Sequence, residues 1–190
     1  MKARNCNLNP IVTAVAIFFF AAVPTWAQGG AGQSDLDGLF DRLKTASVQE
    51  AAEIESEIWL IWSKSGSAAM DLLLERGRAA MAAGDTTLAV EHLTALVDHA
   101  PDFAEGWNAR ATAYFQAGEL GPSLADIGKT LTLNPRHFGA LSGLGAIFEA
   151  LEAPEKAIEA YRAAQEINPH ALGLRAAIER LDGQIQGQDL

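Results

Sequence analysis

The side chains best suited to acid–base or metal chemistry in this sequence are its four histidines. His92 and His99 are seven residues apart on one helical pattern, which places their rings about 10 Å apart, too far for one metal ion. His137 and His170 follow prolines in predicted turns, where we expect solvated or partly packed imidazoles. The histidines therefore predict no metal site.

Gly128-Lys129-Thr130 has the ending of a phosphate-binding loop. However, the first glycine of such a loop falls at position 123, which is a serine. The segment also lies inside a predicted helix, whose N–H groups already bond within their own turns. No local motif nominates a Ser/His/Asp group either. We therefore predict that the protein is not an enzyme and has no cofactor.

Net charge and cysteine content narrow the classes of partner. The 190 residues carry a formal charge of −10, which opposes binding to the phosphate backbone of nucleic acids. The single cysteine, Cys6, cannot form an intramolecular disulfide or a cysteine-based zinc site. Hydrophobic residues make up 49% of the chain, so burial of apolar surface must hold the fold together.

The N-terminal segment, 1–27, has the pattern of a cleaved signal peptide. Lys2 and Arg4 precede an apolar run at 11–23, and small residues lead to Ala27, where we expect cleavage. The thirteen residues of the run cover about 20 Å as a helix, short of the ~30 Å of membrane hydrocarbon. We therefore predict an exported protein, periplasmic or secreted, with no stable membrane anchor.

Cleavage after Ala27 removes Lys2 and Arg4 but no acidic residue, so the chain that begins at Gln28 is more acidic than the full sequence. Residues 28–34 are rich in glycine and predict a flexible leader ahead of the folded part.

An internal period organises the rest of the chain. Pro101, Pro135 and Pro169 are evenly spaced, and their spacing aligns the segments 70–103, 104–137 and 138–171. Position 8 of each segment is small, and position 24 is bulky. These residues are Gly77, Ala111 and Gly145, and Leu93, Ile127 and Tyr161. Small residues opposite large ones let two helices approach closely, so each segment predicts a helical pair.

This pattern resembles the tetratricopeptide repeat (TPR), a 34-residue helix-turn-helix unit. The third segment matches its consensus best, at Leu141, Leu144, Gly145, Phe148, Ala157, Tyr161, Ala164 and Pro169. The first two segments depart from it at position 7, where Arg76 and Arg110 replace leucine. The resemblance implies an all-α TPR-type solenoid with three repeats, at 70–103, 104–137 and 138–171.

The open ends of a solenoid need covering. Leu174, Ile178 and Leu181 share one helix face and predict a C-terminal capping helix over 172–186. Residues 35–68 predict an N-terminal TPR-like helical pair, in which Ser47 and Glu50 start the second helix as a capping box. We expect Trp59 and Trp62, three residues apart on that second helix, to seal the first repeat.

In the family, the first helices line a concave groove that holds a peptide or helix of a partner. Carried onto this chain, the groove positions include seven side chains that we predict to bind the partner. They are Arg78, Met81, Asn108, Thr112, Phe115, Ser142 and Glu149. The Lys, Asn and Arg set with which some members grip a C-terminal carboxylate is missing. Because the groove positions include three acidic residues and one basic residue, a neutral or basic amphipathic segment is the expected guest.

The sequence therefore predicts a non-catalytic scaffold or adaptor that binds another protein of the cell envelope. Two alternatives stay open: a self-assembling structural envelope protein, and a non-catalytic subunit of a secreted enzyme complex. The sequence does not specify the partner or the oligomeric state.

Overall fold

The computed structural model describes residues 30–188, and this part of the chain consists of nine α-helices without a strand. They are α1 (Gly30–Thr45), α2 (Val48–Trp62), α3 (Ala68–Ala82), α4 (Thr86–His99), α5 (Ala104–Gln116), α6 (Leu120–Leu133), α7 (Phe138–Ala150), α8 (Pro154–Ile167) and α9 (Leu174–Gln188). The all-α prediction is confirmed. No helix within these residues is long and apolar enough to cross a membrane. The predicted signal peptide, 1–27, lies outside the described residues.

Three helical pairs, α3–α4, α5–α6 and α7–α8, follow the period of the prolines, and the second helix of each ends just before the repeated proline. Gly84 and Gly118 follow the first helices with φ of 78°, a left-handed conformation that glycine adopts without strain. In the third pair the same turn position is Glu152, with φ of 55°. An L-residue there stores strain of about 1 kcal/mol.

The pairing of small and large residues within a repeat has a direct structural cause. A Cβ added to Gly77 would lie 2.5 Å from the side chain of Leu93, and one added to Gly145 would overlap the ring of Tyr161. The two helices of a pair therefore touch at position 8, and the bulky residue at position 24 fills the space that its glycine leaves.

In the second repeat, an ion pair accompanies the arginine that stands where the family has leucine. The Arg110 guanidinium donates to both carboxylate oxygens of Asp126, at 2.7 and 2.9 Å, and lies 4.9 Å from the centre of the Trp107 ring. The hydrogen bond from Arg110 to Asp126 raises the pKa of the arginine above its ordinary value. The departure from the family consensus is thus matched by a buried partner on α6.

The row of pairs is bent so that the first helices lie on its inner side. Helix α5 contacts both α3 and α7 directly, whereas contacts between successive second helices are weaker. The concave face is therefore built from α3, α5 and α7. At the C-terminal end, α9 covers α8 through Leu174, Ile178 and Leu181. This is the capping helix that the sequence predicts.

The N-terminal pair, α1–α2, is a helical hairpin whose turn carries the predicted capping box of Ser47 and Glu50. Helix α1 begins at Gly30, so the helix takes in most of the 28–34 segment that the sequence predicts to be a leader. The reason is that extending a helix beyond an existing turn costs little free energy, even through polar residues.

The N-terminal hairpin (residues 30–62) does not pack on the first repeat. Its core contains Phe40, Ile58 and Trp62 together with Phe138 from the start of α7, and it includes no residue of the first repeat. The expectation that Trp59 and Trp62 seal the first repeat is therefore wrong. Residues 63–67 lead the hairpin away from α3, and the hairpin lies across the concave face, where it buries apolar surface against Phe138.

Candidate functional site: the concave wall of α5 and α7

A small open cleft lies between α5 and α7 on the concave face. Its volume is about 90 Å³, and it is lined by Asn108, Ala111, Thr112, Phe115, Ser123, Ile127, Gly139, Gly143, Ala146 and Ile147. This is the volume of about three water molecules, which suits one aliphatic side chain. Phe115 is 38% exposed at its rim, so apolar surface remains available to a partner. We call this feature the concave cleft.

The N-terminal hairpin closes the adjoining part of the same wall. The Trp62 ring stacks on His137, with ring centres 4.3 Å apart and planes at 19°, and it also touches Phe138. Trp59 lies edge-on to His137 and Phe138. A Cβ on Gly139, which also lines the concave cleft, would lie 2.7 Å from the Trp59 ring. The tryptophan pair therefore ends where the open cleft begins.

Beneath the tryptophans lies a buried polar cluster centred on Glu105, which is 3% exposed. The Glu105 carboxylate accepts hydrogen bonds from Arg78 Nη2 at 2.5 Å, Asn108 Nδ2 at 3.2 Å and His137 Nε2 at 2.8 Å. The donors come from α3, from α5 and from His137, the residue that caps the start of α7. Arg78 also donates to Ser63, where the chain leaves the hairpin, at 3.0 Å. Glu105 thus links the three helices of the concave wall, α3, α5 and α7, through hydrogen bonds.

The fully buried His137 has a structural role that the sequence did not predict. Its Nδ1 accepts the backbone N–H of Ala140 at 3.0 Å and caps α7. The proton of the neutral ring therefore lies on Nε2, which donates to Glu105. The expectation of a solvated or partly packed imidazole is wrong for His137, because Trp62 and Glu105 cover both the face and the edge of its ring.

A second polar contact fastens the hairpin at its outer edge. Arg136 donates to Asp37 at 2.5 Å, and its guanidinium lies 4.4 Å from the centre of the Phe40 ring. Both side chains of this ion pair are about half exposed. Exposed pairs of this kind contribute up to about 1 kcal/mol, so the contact orients the hairpin more than it holds it.

Three of the seven predicted partner-binding residues meet in the concave cleft: Asn108, Thr112 and Phe115. Thr112 and Phe115 are exposed, whereas Asn108 is buried with its amide bound to Glu105. The role of these residues in binding stays a prediction.

The other four predicted residues lie elsewhere. Arg78 is bound to Glu105, and Met81 packs against the core of the first repeat. Ser142 donates to the carbonyl of Phe138 at 2.8 Å. Glu149 is paired with Tyr161 and Arg180 near α9, beside a separate surface pocket. Their binding roles also stay predictions, and the structure does not bring them into the concave cleft.

The acids of the concave face already have partners, so the expectation of a neutral or basic guest, which rests on a count of charges, stays a prediction. Glu105 is bound by Arg78, and Glu149 by Arg180. Asp71 accepts from Ser65 Oγ and from the Ser65 backbone N–H, and these two hydrogen bonds hold its pKa below the ordinary value. A count of charges along the sequence could not reveal these partners, because Arg78 and Arg180 lie on other helices and Ser65 is an uncharged residue of the link.

The structure also brings in residues that the sequence did not nominate: Trp59, Trp62, His137 and Gly139. Gly139 occupies a groove position of the family, but a glycine carries no side-chain signal. The spacing of the two tryptophans was the one sequence feature that pointed to this contact; it indicates an apolar helix face but not the surface on which that face packs.

Comparison with known proteins agrees with this architecture. The family description "Tetratricopeptide repeat" matches residues 74–127 and 123–171. A TPR repeat-containing protein of Rhizobium etli is 39% identical over 142 residues, which are 69% of this chain and 70% of the relative. The chain belongs to the tetratricopeptide repeat family, and the resemblance seen in the sequence is confirmed.

Solved structures share the fold at lower identity. The first TPR of Spaghetti (RPAP3), bound to the HSP90 peptide SRMEEVD, has a TM-score of 0.61 at 23% identity and covers 63% of this chain and 95% of that one. The Sgt2 TPR domain from Aspergillus fumigatus has the same TM-score and identity, and the match covers 65% of this chain and 83% of the Sgt2 domain. MamA has a TM-score of 0.59 at 21% identity, and the match covers 83% of this chain and 82% of the MamA chain. These likenesses show that the chain has the TPR fold.

Proposed function

We propose that this protein is an exported, non-catalytic adaptor that binds a peptide or helix of another cell-envelope protein on its concave wall. The observation that carries the proposal is the concave cleft, which leaves Phe115 and Thr112 exposed between two first helices. The bound HSP90 peptide of the structurally similar first TPR of Spaghetti supports a peptide as the type of guest. Export is supported by the signal-peptide pattern of residues 1–27.

The cleft can hold one apolar side chain of a guest, while polar groups at its edge orient the guest backbone. Thr112 Oγ1 donates to its own helix, at Asn108 O, and its oxygen can accept from a guest. A short groove of this kind, with one small pocket, is expected to bind a lone peptide at about micromolar Kd.

The test is affinity capture from an envelope extract with the chain that begins at Gln28. Phe115→Glu places a charge at the cleft and is expected to remove the guest from the captured set. Leu88→Glu is the matched control, because Leu88 on α4 is 40% exposed and Phe115 is 38% exposed. An unchanged set of captured proteins with a folded Phe115→Glu chain refutes the proposal.

A further inference from the structure

The N-terminal hairpin occupies the concave wall without being part of the solenoid. The cores of the three repeats and of α9 contain no hairpin residue, whereas the hairpin core borrows Phe138 from α7. Helices α1 and α2 contact each other more extensively than either contacts a repeat helix. The hairpin can therefore leave the wall without opening a repeat core.

The space between the hairpin and the first repeat is open. One cleft of about 530 Å³ is lined by Trp59, Leu60, Ser63 and Arg78, with Ser56 at its edge. A second, of about 570 Å³, continues along α3 from Ser63 to Leu72 and Glu75. The link at 63–67 includes Gly66 in the left-handed conformation, with φ of 84°. The hairpin is thus held on α7 by Trp59 and Trp62 in the last turn of α2, while Arg78 of α3 binds Ser63 at the start of the link.

The residues of this contact indicate which kind of segment the concave wall accepts. Two indole rings, three residues apart on one helix, fit the surface formed by His137, Phe138 and Gly139. An acid at the edge of the hairpin meets Arg136. The hairpin has seven acidic residues against two basic ones, so its partner surface tolerates an acidic segment.

We propose that the N-terminal hairpin is a built-in occupant of the concave wall, and that the protein's guest is an acidic amphipathic helix with an aromatic pair three residues apart, which displaces it. This inference rests on the proposed function and specifies its guest. Because the hairpin competes from within the same chain, it lowers the apparent affinity for the guest by the fraction of chains in which the wall is free.

The probe is a labelled synthetic peptide of residues 30–62, used with the chain that begins at Gln28, which contains every described residue. The opening variant combines Asp37→Arg with Trp59→Ala and changes no residue of the wall. We expect it to bind the probe roughly 10- to 100-fold more tightly than the unchanged chain, since a closed fraction of about 90–99% gives this range. Val48→Ala, at an exposed residue of α2, is the control and leaves the affinity unchanged.

A locked form tests the opposite state. Asp37→Cys with Arg136→Cys, bridged by a short bismaleimide, fixes the hairpin on the wall; without Cys6, these are the only thiols of the chain that begins at Gln28. We expect no saturable probe binding by the locked form. Asp37→Arg alone touches no core residue, and a smaller gain in affinity from it supports the proposal even where Trp59→Ala lowers stability.

Equal probe binding by the open and locked forms overturns the inference, and so does an absence of binding by a folded open form. A dimer in light scattering whose locked form carries the bismaleimide bridge between two chains also overturns it, because the occupant is then a second copy of the chain. These results leave the capture experiment with Phe115→Glu untouched, so failure of the inference and failure of the proposed function are distinguishable.

Discussion

Replacing Glu105 by alanine tests the claim that one buried carboxylate ties the concave wall together. The change leaves three donors, on Arg78, Asn108 and His137, without their acceptor. Each unsatisfied buried donor costs about 1–3 kcal/mol, although Arg78 is 40% exposed and recovers part of this in water. We expect the free energy of unfolding to fall by about 3–5 kcal/mol, which lowers the Tm by roughly 10 °C.

The assay is urea unfolding followed by circular dichroism and by tryptophan fluorescence, because Trp62 stacks on His137 and reports the local change. Glu105→Gln keeps the shape, but whichever way its amide turns, the NH₂ group meets a donor, so we expect a loss of about 1–3 kcal/mol. Glu91→Ala, at an exposed acid of α4, is the control. A loss below about 1 kcal/mol for Glu105→Ala refutes the assigned role of the carboxylate.

Three further predictions concern single positions. Glu152→Gly removes left-handed strain and should raise the free energy of unfolding by about 0.5–1 kcal/mol in the same urea assay; a decrease contradicts the strain argument. Gly145→Ala drives a methyl group into the Tyr161 ring and should lower the free energy of unfolding by about 1–3 kcal/mol. Gly128→Ala, which has open space around it, should raise the free energy of unfolding by up to about 1 kcal/mol, because alanine favours the helical conformation of α6. Burial and the hydrogen bond to Glu149 raise the pKa of Tyr161, so near pH 10 the Tyr161 hydroxyl ionises only in the unfolded chain. The stability of the protein relative to Tyr161→Phe should therefore fall by about 1 kcal/mol between pH 10 and 11, and a constant difference contradicts this.

The sequence predicted the solenoid well because its information is local and repeated. The spacing of Pro101, Pro135 and Pro169 sets where second helices end, and the small residue at position 8 with the bulky one at position 24 sets how each pair packs. Both signals act within a single repeat, so they can be recognised without knowing the three-dimensional structure.

The site was less predictable because it depends on contacts between distant segments. The spacing of Trp59 and Trp62 shows that one helix face is apolar, but the choice between the first and third repeats depends on where the bent row brings Phe138. Glu105 gave no local sign of burial, since Arg78 and His137 are distant from it in the sequence and its near partner Asn108 is an amide with many alternative roles. Periodicity fixes neighbours along the row and carries no information on a contact across it.

The contact between Asp37 and Arg136 joins residues 99 positions apart, and the stacking of Trp62 on His137 likewise joins distant parts of the chain. During synthesis the first helices emerge long before the surface on which they come to rest, and each repeat can fold as it appears. The hairpin can therefore close on the concave face only after α7 has been made, and until then its two indole rings are open to solvent, to chaperones and to other copies of the chain.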